Sequence, residues 1–194
     1  MKIDDFAGRE PKFVLEEYFA GTTRAYGIFE DRFGDVRREF VVDISGSWDG
    51  TELVLDEHFN YVDGEKSRRV WRIRKTGADT YEGRADDVVG VARGRIAGNT
   101  LNWAYDLDLK VGERVWRVHF DDWMFLQPDG VVINRARMSK FGIELGAVTI
   151  VFQHRPAAQN DVDADAAIPT AGAAATTPGG VDRRTVTPLR SARF

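Results

Sequence analysis

The sequence predicts an all-β protein: an antiparallel up-and-down barrel of roughly ten strands, preceded by a short helix and followed by a disordered tail. Three observations carry this reading. Turn residues recur at short, regular intervals. The runs between them alternate apolar and polar with a period of two. The composition changes abruptly after Pro156.

The first element is read in "EPKFVLEEYFAG", where Pro11 suits a first helical turn. Phe13, Leu15, Tyr18 and Phe19 fall mostly on one face, and Gly21 is placed to stop the helix. Turns follow at Phe33-Gly34-Asp35, Trp48-Asp49-Gly50, Val62-Asp63-Gly64, Thr76-Gly77-Ala78, Ala97-Gly98-Asn99, Val111-Gly112, Pro128-Asp129-Gly130 and Phe141-Gly142. In "REFVVDISGSW", Phe40, Val42, Ile44, Gly46 and Trp48 share a face. In "NTLNWAYDLDLK", Leu101, Trp103, Tyr105, Leu107 and Leu109 oppose Asn102, Ala104, Asp106 and Asp108. Connections this short force antiparallel neighbours, and closing the meander into a barrel removes its two open edges. The helix then lies across one mouth or flank; an open sheet or a sandwich is the alternative. The barrel domain spans residues 1–155. Residues 156–194 are rich in Ala, Thr, Pro, Gly and Asp, too poor in large apolar residues to offset chain entropy, and are expected to be a solvated, disordered tail. Its late arginines (Arg183, Arg184, Arg190 and Arg193) offer a partner contact.

Bulk properties narrow the function classes. The formal net charge of −4 gives no basic footprint for nucleic acid. There is no cysteine, which removes disulfides, thiolate metal sites and cysteine nucleophiles. The N-terminus carries early acids and no apolar core, so no signal peptide is expected. No apolar run is long enough to span a bilayer, and the chain is expected to be cytoplasmic. No Gly-x-Ser-x-Gly elbow, phosphate-binding Gly-Lys-Ser/Thr loop or Gly-x-Gly-x-x-Gly turn occurs. No cofactor or metal is predicted: His58, His119 and His154 have no ligand spacing, although His154, ending the last strand, is where a haem ligand sits in some barrels.

The chemistry-bearing stretch is "RVWRVHFDDWMFLQPDG", residues 114–130, where Asp121 and Asp122 stand side by side. In a strand they point to opposite faces. Asp122 shares its face with Val118, Phe120, Met124 and Leu126, and is expected inside; Asp121 shares the other with Arg117, His119 and Trp123. A catalytic dyad would need a β-bulge. By the same phase reasoning Glu57 lies with Leu55 and Phe59, and Arg135 and Arg137 lie with Val131 and Ile133. Asp86 and Asp87 sit in "GRADDVVG", where the backbone has room to bend, and Arg68 and Arg69 precede Trp71. The candidate ligand-binding set is Glu57, Trp103, Tyr105, Asp122, Arg135 and Arg137, with the two arginines gripping a carboxylate or phosphate and Trp103, Tyr105 and Phe59 lining an apolar tail. The plainer alternative is a set of internal ion pairs that only stiffen the core. No catalytic residue is assigned.

The pieces "YFAGTTRAYGIFEDRFG", "LDEHFNYVDGEKSRRVWRI", "YEGRADDVVGVARGRIAGN", "VHFDDWM" and "INRARMSKFGIELG" lie in order over about residues 13–154. They resemble a bacterial family known as domain of unknown function 3833, whose members are often labelled lipoproteins. The resemblance implies a calycin-like barrel, a fold that commonly holds small apolar ligands. Members encoded beside fatty-acyl-modifying enzymes would further imply a role in lipid metabolism. The given sequence departs from the lipoprotein label in that no signal peptide is expected and it contains no cysteine to lipidate. Three readings follow. The favoured one is a carrier or accessory factor for a small amphipathic, fatty-acid-like ligand. The others are an enzyme using Asp122 or a His119–Asp121 pair on such a ligand, and a protein-interaction module.

Overall fold

The computed structural model describes residues 1–111 and 114–154; the predicted tail lies outside the described residues. Ten strands form one closed barrel: β1 (Gly21–Asp31), β2 (Val36–Trp48), β3 (Glu52–Tyr61), β4 (Lys66–Lys75), β5 (Thr80–Arg84), β6 (Val88–Ala97), β7 (Thr100–Val111), β8 (Arg114–Leu126), β9 (Val132–Lys140) and β10 (Ile143–His154). Each strand pairs antiparallel with the next, and β1 closes on β10 through pairs such as Ala25 with Phe152. The closed barrel thus replaces the open sheet and the sandwich. Seven of the predicted turns fall where expected, with Gly34 (φ 86°) and Gly130 (φ 83°) in the left-handed region that hairpin turns use, and the turn predicted at Val111-Gly112 lies outside the described residues. Asp86 and Asp87 make a further turn, between β5 and β6.

Period-two alternation decides what faces inward. Phe40, Val42 and Ile44 of β2, Leu53 and Leu55 of β3, and Leu101, Trp103, Tyr105, Leu107 and Leu109 of β7 are buried in the lumen. The outer wall carries charge, paired across strands: Arg68 with Asp56 (2.7 Å), Arg117 with Asp108 (2.9 Å), and Arg72 and Arg74 with Glu52 (3.1 and 3.0 Å). Exposed pairs of this kind add little stability. Their placement does fix the sidedness of the wall, which is the reverse of a barrel that crosses a bilayer with an apolar exterior. No described helix is long and apolar enough to cross a membrane.

The N-terminal segment corrects one expectation. The helix predicted over "EPKFVLEEYFAG" shrinks to α1 (Leu15–Tyr18), a single turn whose N-cap residue, Val14, makes no side-chain cap. Pro11 lies ahead of it, in irregular chain. The reason is competition for backbone groups: the Phe13 N–H donates to the Gly98 carbonyl at 2.9 Å, so the segment is tied to the barrel rim instead of to itself. The chain then plugs the end of the barrel at which β1 begins. Phe13 is 1% exposed, Phe19 packs edge-on against Phe152, and the Tyr18 hydroxyl donates to the Phe152 carbonyl. Glu16 accepts from both Lys75 and Tyr81, each at 2.7 Å. Farther out, a 3₁₀ turn (Ile3–Phe6) lays Phe6 over Trp123 and Phe125 of β8. These are the outward apolar residues that the alternation of β8 would otherwise leave in water.

The barrel lumen as candidate functional site

The lumen is not filled. A chamber of about 90 Å³ lies beneath the N-terminal plug, lined by Leu15, Phe19, Leu55, Trp71, Trp103 and Phe152. A second, of about 130 Å³, lies toward the other end, lined by Phe29, Phe40, Phe59, Leu107, Phe120 and Met138. Arg69, Tyr105, Asp122, Asn134 and Ile150 border both, so a polar belt stands where the two apolar spaces meet. Aromatic rings frame it. Trp71 meets Trp103 and Tyr105 edge-on, with centroids 5.6 and 5.3 Å away, and Tyr105 stacks on Phe120 at 5.3 Å. Room for Trp103 comes from Gly83 and Gly94, over which its indole lies; a Cβ at either would strike the ring.

Each belt residue arrives by alternation. Asp122 follows Phe120 on the inner face of β8, opposite Ala136, and stands beside Trp103 across the β7 pair. The β7–β8 register runs unshifted from Thr100 with Phe125 to Val111 with Arg114, so no bulge turns Asp121 inward. Asp121 stays outside, where it accepts from Asn102 (2.6 Å) and Trp123 (3.1 Å). Glu57 on β3 is the direct cross-strand partner of Arg69 on β4, and Asn134 sits on the inner face of β9. The Arg69 guanidinium is engaged by a different acid: its Nε and Nη2 donate to Asp87 Oδ2 at 3.0 and 2.6 Å.

Burial governs the protonation of this belt. It raises Asp122 to about 8, opposed by Arg69 and assisted by Asp121. It raises Glu57 to about 7, again opposed by Arg69. Tyr105 is pushed well above its ordinary value by burial and by Asp122. Burial works to lower Arg69, but Tyr105, Asp87 and Glu57 outweigh it and keep the guanidinium charged. Near neutral pH the belt therefore holds one ion pair, Arg69 with Asp87, a largely protonated Asp122 and a Glu57 close to half-protonation. An Asn134 hydrogen bond favours the ionised form of Asp122. Even so, Asp122 Oδ1 and Asn134 Oδ1 are buried with no hydrogen-bond partner among the described residues. Such orphaned atoms are costly unless something satisfies them.

Of the six residues singled out from sequence, Glu57, Trp103, Tyr105 and Asp122 meet in the lumen. Arg135 and Arg137 do not. The inner face of β9 is Val132, Asn134, Ala136 and Met138, and both arginines are exposed on the outer wall opposite Trp123 and Asp121. The sequence misled because both phases of β9 begin with apolar residues; Ile133, which set the wrong phase, is 40% exposed. Arg69 and Asp87, noted in the sequence but left out of the candidate set, belong to the belt, and Asn134 joins them unforeseen. Arg69 shares its phase with Trp71 and Ile73, and Asn134 its phase with Val132 and Met138, so those two were readable. Asp87 lies in a turn and carries no such signal.

The histidine readings also resolve. His119 Nδ1 lies 2.8 Å from Asp106 on the outer wall, not against Asp121, so the alternative His119–Asp121 acid–base pair does not form. His58 is exposed beside Asp56, and the exposed His154 packs on the Tyr18 ring at the plugged end. Among the described residues no three His, Asp or Glu side chains converge as metal ligands would.

The family model described as "Protein of unknown function (DUF3833)" matches residues 1–154, the whole of the described barrel and its plug. No curated protein matches the chain. The chain belongs to the DUF3833 family.

Proposed function

We propose that this DUF3833 protein holds a small amphipathic molecule in the lumen, as a carrier or accessory factor of lipid metabolism. One observation carries the proposal: two apolar chambers share a buried polar belt in which Asp122 Oδ1 and Asn134 Oδ1 lack partners among the described residues. Apolar walls with a few convergent polar groups are the usual composition of a ligand site. The dimensions bound the ligand. Cavities of about 150 Å³ accept a benzene-sized molecule. Each chamber therefore suits a ring or a short branched or linear chain, with the polar group between them.

The belt also selects the head group. The guanidiniums that border the chambers are held by the protein's own carboxylates: Arg69 by Asp87, and Arg38 by Asp63 (3.2 Å) and Glu65 (3.0 Å). A ligand carboxylate would meet two further carboxyl groups, Glu57 and Asp122. A hydrogen-bond donor, such as an alcohol or amine, instead satisfies the orphaned oxygens. The fatty-acid-like ligand expected from sequence thus becomes a short-chain amphiphile with a donating head. Protein purified without detergent and extracted for mass spectrometry should release such a molecule from wild type and less of it from Asp122→Leu. Repeated extraction of nothing, with no uptake of short-chain alcohols or amines, would remove the proposal.

The near-neutral values of Glu57 and Asp122 favour a second reading, acid–base catalysis on the same ligand. The two separate on Asp122→Asn. A carrier retains much of its binding, whereas an enzyme keeps its bound molecule and loses turnover.

A further inference from the structure

The hairpins joining β1 to β2, β3 to β4 and β9 to β10 all lie at the end of the barrel opposite the N-terminal plug. Their tips carry large apolar side chains in water. Phe33 is 76% exposed, Val62 78% and Phe141 94%, with Val36 and Ile143 flanking them and Trp116 exposed at the same end of β8. Such residues are normally buried or scattered. Here they gather at one mouth, beside the ion pairs of Arg37 with Asp31 and Asp35 and of Arg38 with Asp63 and Glu65, while the side wall is mainly charged and paired.

Cations are interleaved with them. The Arg32 guanidinium lies 4.7 Å from the centre of the Phe33 ring, and Lys140 Nζ lies 4.4 Å from Trp116 and 5.5 Å from Phe141. Aromatic residues beside Lys or Arg on protruding tips match the bilayer interface, where rings enter the headgroup layer and cations meet anionic lipid. The tips are separate points around an opening, not a continuous flat face. That geometry suits a deformable partner better than the core of a protein interface.

We propose that the open mouth docks on an anionic phospholipid bilayer through Phe33, Val62, Trp116 and Phe141, with Arg32 and Lys140 engaging lipid phosphates. The contact is peripheral, since the charged wall stays in water. It also orients the larger chamber, which ends beneath Arg38 and Tyr61 at this mouth, toward the membrane. The inference is independent of ligand binding and would stand for an empty barrel.

The test is co-sedimentation of the full chain with vesicles of phosphatidylcholine mixed with phosphatidylglycerol, and with phosphatidylcholine alone. Wild type should pellet with the mixed vesicles and less with the neutral ones. The double variant Phe33→Ser/Phe141→Ser should lose at least about tenfold in vesicle affinity, two apolar side chains no longer being buried. Tyr26→Ser, on the side wall, should bind as wild type. If the double variant fails to fold, Lys140→Glu carries the test and must weaken binding to the mixed vesicles. The proposal falls if wild type does not pellet with the mixed vesicles, or if the variants with altered tips bind them unchanged. It falls equally if the tips instead join two copies in solution, seen as a wild-type dimer that the double variant converts to monomer without vesicle binding.

Discussion

At the end where β1 begins, Phe13, Leu15, Tyr18 and Phe19 are buried against the barrel; at the end where β1 turns into β2, Phe33, Val62 and Phe141 stand in water. Both mouths are made by short connections between strands of the same sheet. They differ in what was added. The plugged mouth received a separate stretch of chain, tied down by the Phe13–Gly98 backbone bond, the Glu16 bonds to Lys75 and Tyr81, and close approach at Gly46. The open mouth received apolar tips and unburied rings. A barrel closes its own edges but not its ends, so the fold leaves the two ends free to serve different purposes. Here one end is closed by the chain itself and the other presents exposed apolar tips.

Four changes grade this difference, beginning with the largest. Phe13→Ala should cost about 3–5 kcal/mol, the range for emptying a packed aromatic site, read as a lower denaturant midpoint. Gly46→Ala should cost about 1–3 kcal/mol, because its Cβ would strike the Phe19 carbonyl oxygen and push the plug off the rim. The plug's loss should show as faster amide exchange across residues 13–19.

Asp122→Asn is the third, and its effect depends on pH. The folded value of about 8 lies above the unfolded carboxylate range, near ~4, so the folded protein keeps a proton that the unfolded chain releases. Stability from this group is full below about pH 4 and is lost as pH rises through about 8, at up to ~1.4 kcal/mol per pH unit. The substituted amide would stay neutral throughout. The variant should therefore approach wild type in melting temperature as pH falls to about 4 and exceed it at pH 9 by several degrees. Its remaining slope should end near pH 7, where Glu57 titrates. The smallest effect belongs to the open mouth. Phe141→Ser, at a residue 94% exposed, should change stability by less than about 0.5 kcal/mol while weakening vesicle binding.

Much of this is legible in the sequence itself. Asp121 and Asp122 separate on strand period alone, and the observed register has no bulge to undo that. Turn glycines and alternation likewise marked the strands. What escaped had physical causes. On β9 both faces start apolar, and Asn134 is a less obvious lumen residue than two arginines, so the phase was misread. The N-terminal helix was overdrawn because amphipathic spacing cannot show that the Phe13 amide is already taken by Gly98. The exposed tips sat in plain view at the turns, but their convergence on one mouth is a property of topology and not of local sequence.

The central claim is that the polar belt receives the donating head of a short amphiphile. Titration of isotopically labelled protein with 1-hexanol, hexylamine and hexanoate at pH 8, followed by the indole N–H signals of Trp71 and Trp103, tests it most directly. These two rings line the chamber beneath the plug. Hexanol and hexylamine should shift both signals saturably, with weaker binding in Asp122→Leu, and hexanoate should leave them in place. Shifts by hexanoate equal to those by hexanol, or no saturable shift by any of the three, would contradict the account.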